Sequence, residues 1–419
     1  MSFEIPSDVQ LDPAFCASLD EQDPLASLRH EFMLPDGVIY LDGMSLGALP
    51  KKTSQCVSDV VNEQWGQGLI RSWNSAGWME APQRIGGKIA RLINAHSDEV
   101  VIADSTSVNL FKLLVGALDL KPERRTVLIE STNFPTDIYI AKGVSQLLPG
   151  IDVRVISVDQ LSESLDDSVA VVMMTHVDYK SSQLQDMEGI TRLVHNAGAL
   201  MLWDLSHSTG AVPLDLARSR VDFAVGCGYK YLNGGPGAPA FVFVALRHLQ
   251  NFKQPITAWM GHARPFDFTI DYEPSPNISR MLSGTPMILS LAALEVGVDL
   301  WAKIDPTLAR AKSVALSKLF LSILERTLDT GCLKVASPRD PSQRGGHIAI
   351  RHEQGYAVMQ AMIDRGVIGD FREPDLMRFG FAPLYLRFID IWNAAQILTK
   401  VIQTNAWDSP EYRERAAVT

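Results

Sequence analysis

Cysteine is scarce in this sequence. The four residues Cys16, Cys56, Cys227 and Cys332 lie far apart and form no CxxC pair, which excludes a clustered zinc site and a disulfide framework and suits a reducing cytoplasm. Long apolar runs are absent as well: no window approaches about 18 uninterrupted apolar residues, the length a membrane helix needs. The opening MSFEIPSDVQ has neither a basic nor an apolar leader stretch, so neither secretion nor membrane insertion is expected. Positive charge is in deficit. The formal net charge is -10, with the acidic residues spread along the chain, which argues against a nucleic-acid or anionic-membrane surface and leaves small molecules as the expected partners. There is no repeated period, no low-complexity stretch and no metal-ligand spacing.

What is present is ordinary globular material, 46 % hydrophobic and 21 % charged over 419 residues. A chain of this length exceeds the range in which one hydrophobic core keeps growing, so two domains are expected. The apolar spacing from about Val57 to Ile93 is mostly helical, interrupted at RSWNSAGW. Short β-branched runs then alternate with helical segments: VVIAD, RTVLIES, VRVISV, AVVMMTHV, ALMLWDL, DFAVGC and AFVFVAL. Such alternation predicts an α/β fold on a mainly parallel seven-stranded sheet. After Thr285 come helices at PMILSLAALEVGVDLW and PTLARAKSVALSKLFLSILERTL, then short strands and helices. The expected organisation is an N-terminal segment 1–55, a large domain 56–285 and a smaller α+β domain 286–419. The strand-like VIYLDG of the first segment can pack on either domain.

Open α/β sheets bind ligands beyond the carboxyl ends of their strands. Asp204 ends ALMLWD, His207 follows it, and Tyr229 and Lys230 lie just past DFAVGC, so acid and amine share the predicted rim. A lysine between an apolar strand and the glycine-rich LNGGPGAP is either structural or reactive. The Asp204–Lys230 combination favours a Schiff base with pyridoxal 5'-phosphate (PLP). Burial lowers the amine pKa and frees the neutral nucleophile, while a carboxylate paired with the ring nitrogen keeps the cofactor an electron sink. Thr106 and Ser107 stand where a strand turns into a helix N-terminus and supply phosphate donors, or serve as an ordinary cap. STNFPTD adds Phe134, an aromatic face or a core residue, and a second acid, Asp137.

The chain resembles the bacterial kynureninases, among the PLP enzymes of the aspartate-aminotransferase fold. The segments that carry the resemblance are VIYLDGMSLGALP, GLIRSWNSAGW, NFPTDIYIA, WDLSHSTGAVPLDL, GYKYLNGGPG, GYAVMQAMIDRGVIGDFREP and MRFGFAPLY. It implies hydrolysis of the Cβ–Cγ bond of L-kynurenine, with 3-hydroxykynurenine as a second substrate, in tryptophan catabolism. It also implies a cytoplasmic homodimer with its active site at the subunit interface. Position by position, Lys230 carries the cofactor, Asp204 pairs with the pyridine nitrogen, Phe134 stacks on the ring, and Asp137 and His207 support that contact. Thr106, Ser107, Thr175, Tyr229, Trp259 and Thr285 match cofactor ligands, the last two reaching across the dimer. Arg378, with Ser45 nearby, matches the grip on the substrate carboxylate, which a planar fork suits; a structural salt bridge is the other reading. Tyr229 is either a proton donor or a phosphate ligand only.

Two positions depart from the family pattern. Met44 stands where an amide is usual near the substrate mouth, and DYKSS replaces the usual NYKTG. Rival activities of the same fold are a cysteine desulfurase or selenocysteine lyase, an aminotransferase, and a PLP-binding protein without catalysis. Cys332 in TGCLKVASP reads as a buried thiol entering a strand, against the desulfurase. Trp65, Trp73 and Trp78 receive no chemistry.

Overall fold

The description below is of a computed structural model covering residues 3, 5, 10–329, 331 and 333–415. All seven expected runs are strands of one sheet. In chain order they are β1 (Val100–Ile102), β2 (Thr126–Glu130), β3 (Asp152–Ile156), β4 (Val169–Thr175), β5 (Leu200–Asp204), β6 (Phe223–Gly226) and β7 (Phe241–Val244). Their spatial order is β1-β7-β6-β5-β4-β2-β3. Strands β2 to β6 pair in parallel, and β7 runs antiparallel to both β1 and β6. Every residue of β4 and β5 is buried, as central parallel strands covered on both faces require. By contrast, β3 at one edge is largely open to solvent. Side chains that are fully removed from water in this way contribute about 1.5–3 kcal/mol each, which fixes the register of the central strands.

That register aligns the carboxyl ends. Thr175 sits opposite Asp204, and Asp204 opposite Val225, so the residues following β4, β5 and β6 emerge side by side at one rim. A second, antiparallel sheet is formed by β8 (Lys334–Val335), β9 (His347–Arg351), β10 (Asp370–Arg372) and β11 (Leu376–Gly380), in the order β8-β9-β11-β10. The long helices Ile288–Trp301 and Pro306–Thr327 precede it. Asp305 caps the second by accepting the Thr307 N–H at 2.8 Å, with Pro306 at its first position.

The N-terminal segment packs with the C-terminal elements. Ile39–Tyr40 pairs in parallel with Val367–Ile368. Asp20 accepts the N–H groups of Phe388 and Ile389 at 2.6 and 3.1 Å, capping the helix Phe388–Gln403. Asp23 and Lys312 form a buried ion pair of 2.7 Å. The loop after Tyr40 then crosses to the large sheet, where the Gly47 N–H donates to the Tyr229 carbonyl at 2.8 Å. Among the described residues no helix is long and apolar enough to cross a membrane, and Cys16, Cys56 and Cys227 are unpaired. Cys332 lies outside the described residues.

At the opposite end of the sheet, buried Asp222 accepts from His195 Nε2 (2.7 Å), His248 Nε2 (2.7 Å), Arg247 (2.6 Å) and the Met201 N–H (2.8 Å). Burial alone would raise its pKa, but the bonds from His195 and His248 prevail and hold the carboxyl well below the usual range. Because the folded pKa is depressed, this carboxylate contributes its full stability above its unfolded value near about 4 and loses it as pH falls through the folded one. Asp222→Ala strands four donors, so guanidinium unfolding at neutral pH should show a loss of about 3–5 kcal/mol. The acid limb of its stability curve should be flatter than the parent's.

Candidate active site

The rim of the sheet gathers groups that ordinarily avoid burial. Lys230, four residues beyond β6, directs its amine to His207 Nε2 at 2.8 Å. Burial lowers the Lys230 pKa, against the opposing pull of Cys227 and Asp204. Asp204, at the end of β5, accepts the Ser206 N–H at 2.7 Å. Asp137, in the first turn of the helix Pro135–Leu147, accepts from Asn133 Nδ2 at 3.2 Å. Burial raises the pKa of both acids, and Asp204 pushes Asp137 higher still. Burial likewise keeps His207 neutral, its Nδ1 without a hydrogen-bond partner.

Around this centre lie most of the residues expected from the sequence. Phe134 is 46 % exposed, an unusual state for a phenyl ring at a strand end, and meets Tyr179 edge-on at 5.1 Å between centroids. The Thr175 N–H donates to Asn133 Oδ1 at 2.8 Å and its hydroxyl to the Val177 carbonyl at 3.2 Å. Thr106 and Ser107 open the helix Thr106–Asp119, whose N-cap is Ser105. Tyr229 lines a cavity of about 570 Å³ with Ser105, Gly237 and Met287. Burial pushes its hydroxyl pKa up, so it stays protonated. Thr285 lines a neighbouring cavity of about 130 Å³ with Ser283 and Gly284, while Trp259 packs edge-on to Phe266 at 5.9 Å.

Arg378 is 1 % exposed on β11. Its guanidinium donates to Asp370 through Nε (2.6 Å) and a terminal nitrogen, to the Tyr179 carbonyl, and to Ser45 Oγ at 3.3 Å. The salt bridge weighed for this arginine is therefore present, and Ser45 sits on the same fork. Met44 is fully buried against Ala211 and Tyr231, so its side chain faces a small core and not an open mouth. Trp65 is exposed, and Trp73 and Trp78 pack on one another edge-on at 5.6 Å.

Four residues at the site escaped the sequence reading. Asn133 ties Thr175 to Asp137, yet an asparagine before a phenylalanine carries no signal. Asp370 was findable: Glu373, Pro374 and Asp375 mark a turn, and a hairpin centred there sets Asp370 opposite Arg378, the observed register. Asp42 is half-buried near Arg378, with its Oδ1 unpartnered. Burial and then Asp370 raise its pKa to about 7. His347 lies 5.8 Å from His207, ring to ring. It is 1 % exposed, and neither ring nitrogen makes a well-formed hydrogen bond.

A buried amine, two buried acids in one crevice, a half-exposed ring, and a hydroxyl-rich helix start together fit PLP: aldehyde, ring nitrogen, ring face and phosphate each meet a suitable group. The overall fold agrees. A cysteine desulfurase from Thermococcus onnurineus NA1 superimposes with TM-score 0.76 at 16 % identity, covering 90 % of this chain and 98 % of its own. The Escherichia coli cysteine desulfurase CsdA does so with TM-score 0.74 at 16 % identity, over 94 % and 100 %. Fold and site define a PLP enzyme of the aspartate-aminotransferase type.

Within that class the sequence relatives are narrower. Kynureninases from Burkholderia mallei (strain SAVP1) and Pseudomonas fluorescens are 50 % and 48 % identical over 408 and 410 residues, 96 % of this chain and 98 % and 99 % of theirs. The kynureninase C-terminal domain family matches residues 309–398. The chain belongs to the kynureninase family.

Gly47 is the local constraint that holds the loop from the N-terminal segment against the lysine. A Cβ there would stand 2.2 Å from the Lys230 carbonyl oxygen and 2.7 Å from Asn233 Nδ2. Gly47→Ala must therefore displace the backbone that aims Lys230. We expect a stability loss of about 1–3 kcal/mol, and a fall in borohydride labelling of Lys230 by PLP larger than that loss accounts for; unchanged labelling would show that the close approach is immaterial to the amine.

Proposed function

We propose that this protein is a kynureninase that hydrolyses L-kynurenine, and 3-hydroxykynurenine as a second substrate, to anthranilate or 3-hydroxyanthranilate and L-alanine. The observation that carries the reading is a near full-length relationship to kynureninases, joined to an amine at the rim whose pKa is lowered by desolvation. Bound PLP supplies an aldehyde for that amine and an electron-withdrawing cationic ring. The protein supplies the rest. Lys230, its pKa lowered by desolvation, would hold the cofactor at rest and take the proton from the substrate α-carbon in turnover. Asp204 would pair with the ring nitrogen and hold it protonated, while Asp137, its own pKa raised by burial and by Asp204, stays behind it. Phe134 covers one face of the ring. His207 steadies the Lys230 amine.

Thr106, Ser107, Thr175, Trp259 and Thr285 serve as cofactor ligands. Arg378 and Ser45 hold the substrate carboxylate, with Asp370 fixing the plane of the fork. Tyr229, protonated across the neutral range, is the group we assign to deliver a proton to Cβ after the carbon–carbon bond has opened. The division into 1–55, 56–285 and 286–419 is the organisation we adopt, since the seven-stranded sheet lies within the second part and the four-stranded sheet within the third. Cytoplasmic residence suits the unpaired cysteines. A homodimer suits the exposed Trp65, Ile70, Phe266, Phe268 and Ile270, apolar side chains that a subunit interface would cover.

The purified protein should absorb as a protonated Schiff base, and borohydride should fix pyridoxyl to Lys230. Kynurenine should give anthranilate fluorescence with one alanine per turnover. Lys230→Ala should abolish turnover, and Cys332→Ala should leave it intact. Sulfide release from cysteine abolished by Cys332→Ala, or amine transfer that requires a keto acid, would replace this reading with a desulfurase or an aminotransferase.

A further inference from the structure

Asp104 follows β1 and turns the chain toward the helix Thr106–Asp119 with φ of 43°, a backbone state that non-glycine residues adopt only where something holds them. Its carbonyl accepts the Ala240 N–H at 2.9 Å. Its carboxylate, still 29 % exposed, lines both cavities described above, the one with Thr285 and the one with Ser105 and Tyr229. On the reading under Proposed function, on which this inference rests, those walls surround the cofactor phosphate. A free carboxylate there carries the wrong charge, because like charges a few ångströms apart repel.

Beneath it lies Lys112, from the second turn of the same helix and wholly buried. Its amine donates to the Asp104 carboxylate and to the Met281 carbonyl at 2.6 Å. Ser283 Oγ donates to Asp104 at 3.4 Å, and the Ser283 carbonyl accepts the Met260 N–H at 3.3 Å. Three segments that bear the expected phosphate ligands thus meet on one ion pair: the helix start with Thr106 and Ser107, the turn with Trp259, and the loop with Thr285. A pair with one partner buried and the other partly exposed adds little stability over apolar residues of equal volume, so its presence calls for another cause.

We propose that Lys112 and Asp104 form a positioning pair for the cofactor phosphate. Lys112 cancels the negative charge in the wall of the phosphate site, and Asp104 in turn gathers the donor-bearing segments around it. Neither residue touches the reacting atoms.

The test is a charge-neutralisation cycle read as cofactor affinity of the apoprotein, titrated with PLP and with pyridoxal, which lacks the phosphate. Lys112→Met should raise the Kd for PLP about tenfold or more and that for pyridoxal less than about threefold. Adding Asp104→Asn should return the PLP value toward the parent's. Equal losses for both ligands, or no recovery in the double variant, would assign the pair to packing and overturn the proposal. Should Lys112→Met not fold, Asp104→Asn alone decides: it should bind inorganic phosphate at least as tightly as the parent, and tenfold weaker binding overturns the idea. A parent apoprotein that binds neither PLP nor pyridoxal refutes the reading of the site itself, and the pair with it.

Discussion

The site depends on an amine that is buried without being locked into an ion pair. Lys230 is hydrogen-bonded to an imidazole, while the two nearby acids spend their bonds elsewhere, Asp204 on the Ser206 N–H and Asp137 on Asn133. A carboxylate bonded directly to the amine would hold it as ammonium. A neutral imidazole that is itself buried does not, so desolvation decides and the amine shifts toward the form that attacks carbonyl carbon. The same dryness keeps the acids in reserve: two carboxyls in one crevice cannot both ionise cheaply, and one of them is thereby ready to share a proton with a basic ring nitrogen.

Such an arrangement has to be imposed from outside, since every group in it prefers water. The parallel strands impose one half by aligning Thr175, Asp204 and the approach to Lys230 at a common rim. The N-terminal segment imposes the other. It is anchored to the C-terminal elements through Ile39–Tyr40 and the buried Asp23–Lys312 pair, yet its loop lies against the Tyr229–Lys230 backbone and brings Ser45 to Arg378. Movement between the two sheets would therefore be felt at Lys230 and at Arg378 together.

The large sheet was legible because its signal is local: seven apolar runs between breakers, each long enough for one strand. The Asp204, His207 and Lys230 positions were legible for the same reason, since residues just past strand ends share a rim whatever the loop lengths. What could not be read are the partners chosen by tertiary approach. Asn133 bridges two strands that are neighbours only in space, and Lys112 meets Asp104 only because a helix start and a later loop converge. The placement of VIYLDG was open for the same cause, as a two-residue strand has no pattern to prefer one sheet. Met44 shows the converse. Its neighbour Ser45 does reach Arg378, but the Met44 side chain points away into a core with Tyr231, and a motif alone does not give direction.

The cluster around Arg378 illustrates how net charge, more than any single contact, sets the character of a site. Arg378 is already satisfied by Asp370, which would suggest a closed account with no affinity left for a carboxylate. Yet Arg372 also reaches Asp370, at 3.2 Å, so two guanidinium groups share one anion. The other acid close by, Asp42, is half-buried with its pKa raised to about 7, and so is substantially protonated near neutral pH. The cluster therefore carries a net positive charge, divided between the buried Arg378 and the half-exposed Arg372. Under the proposed function an α-carboxylate would be the anion that meets it, with Asp370 keeping the Arg378 guanidinium plane oriented.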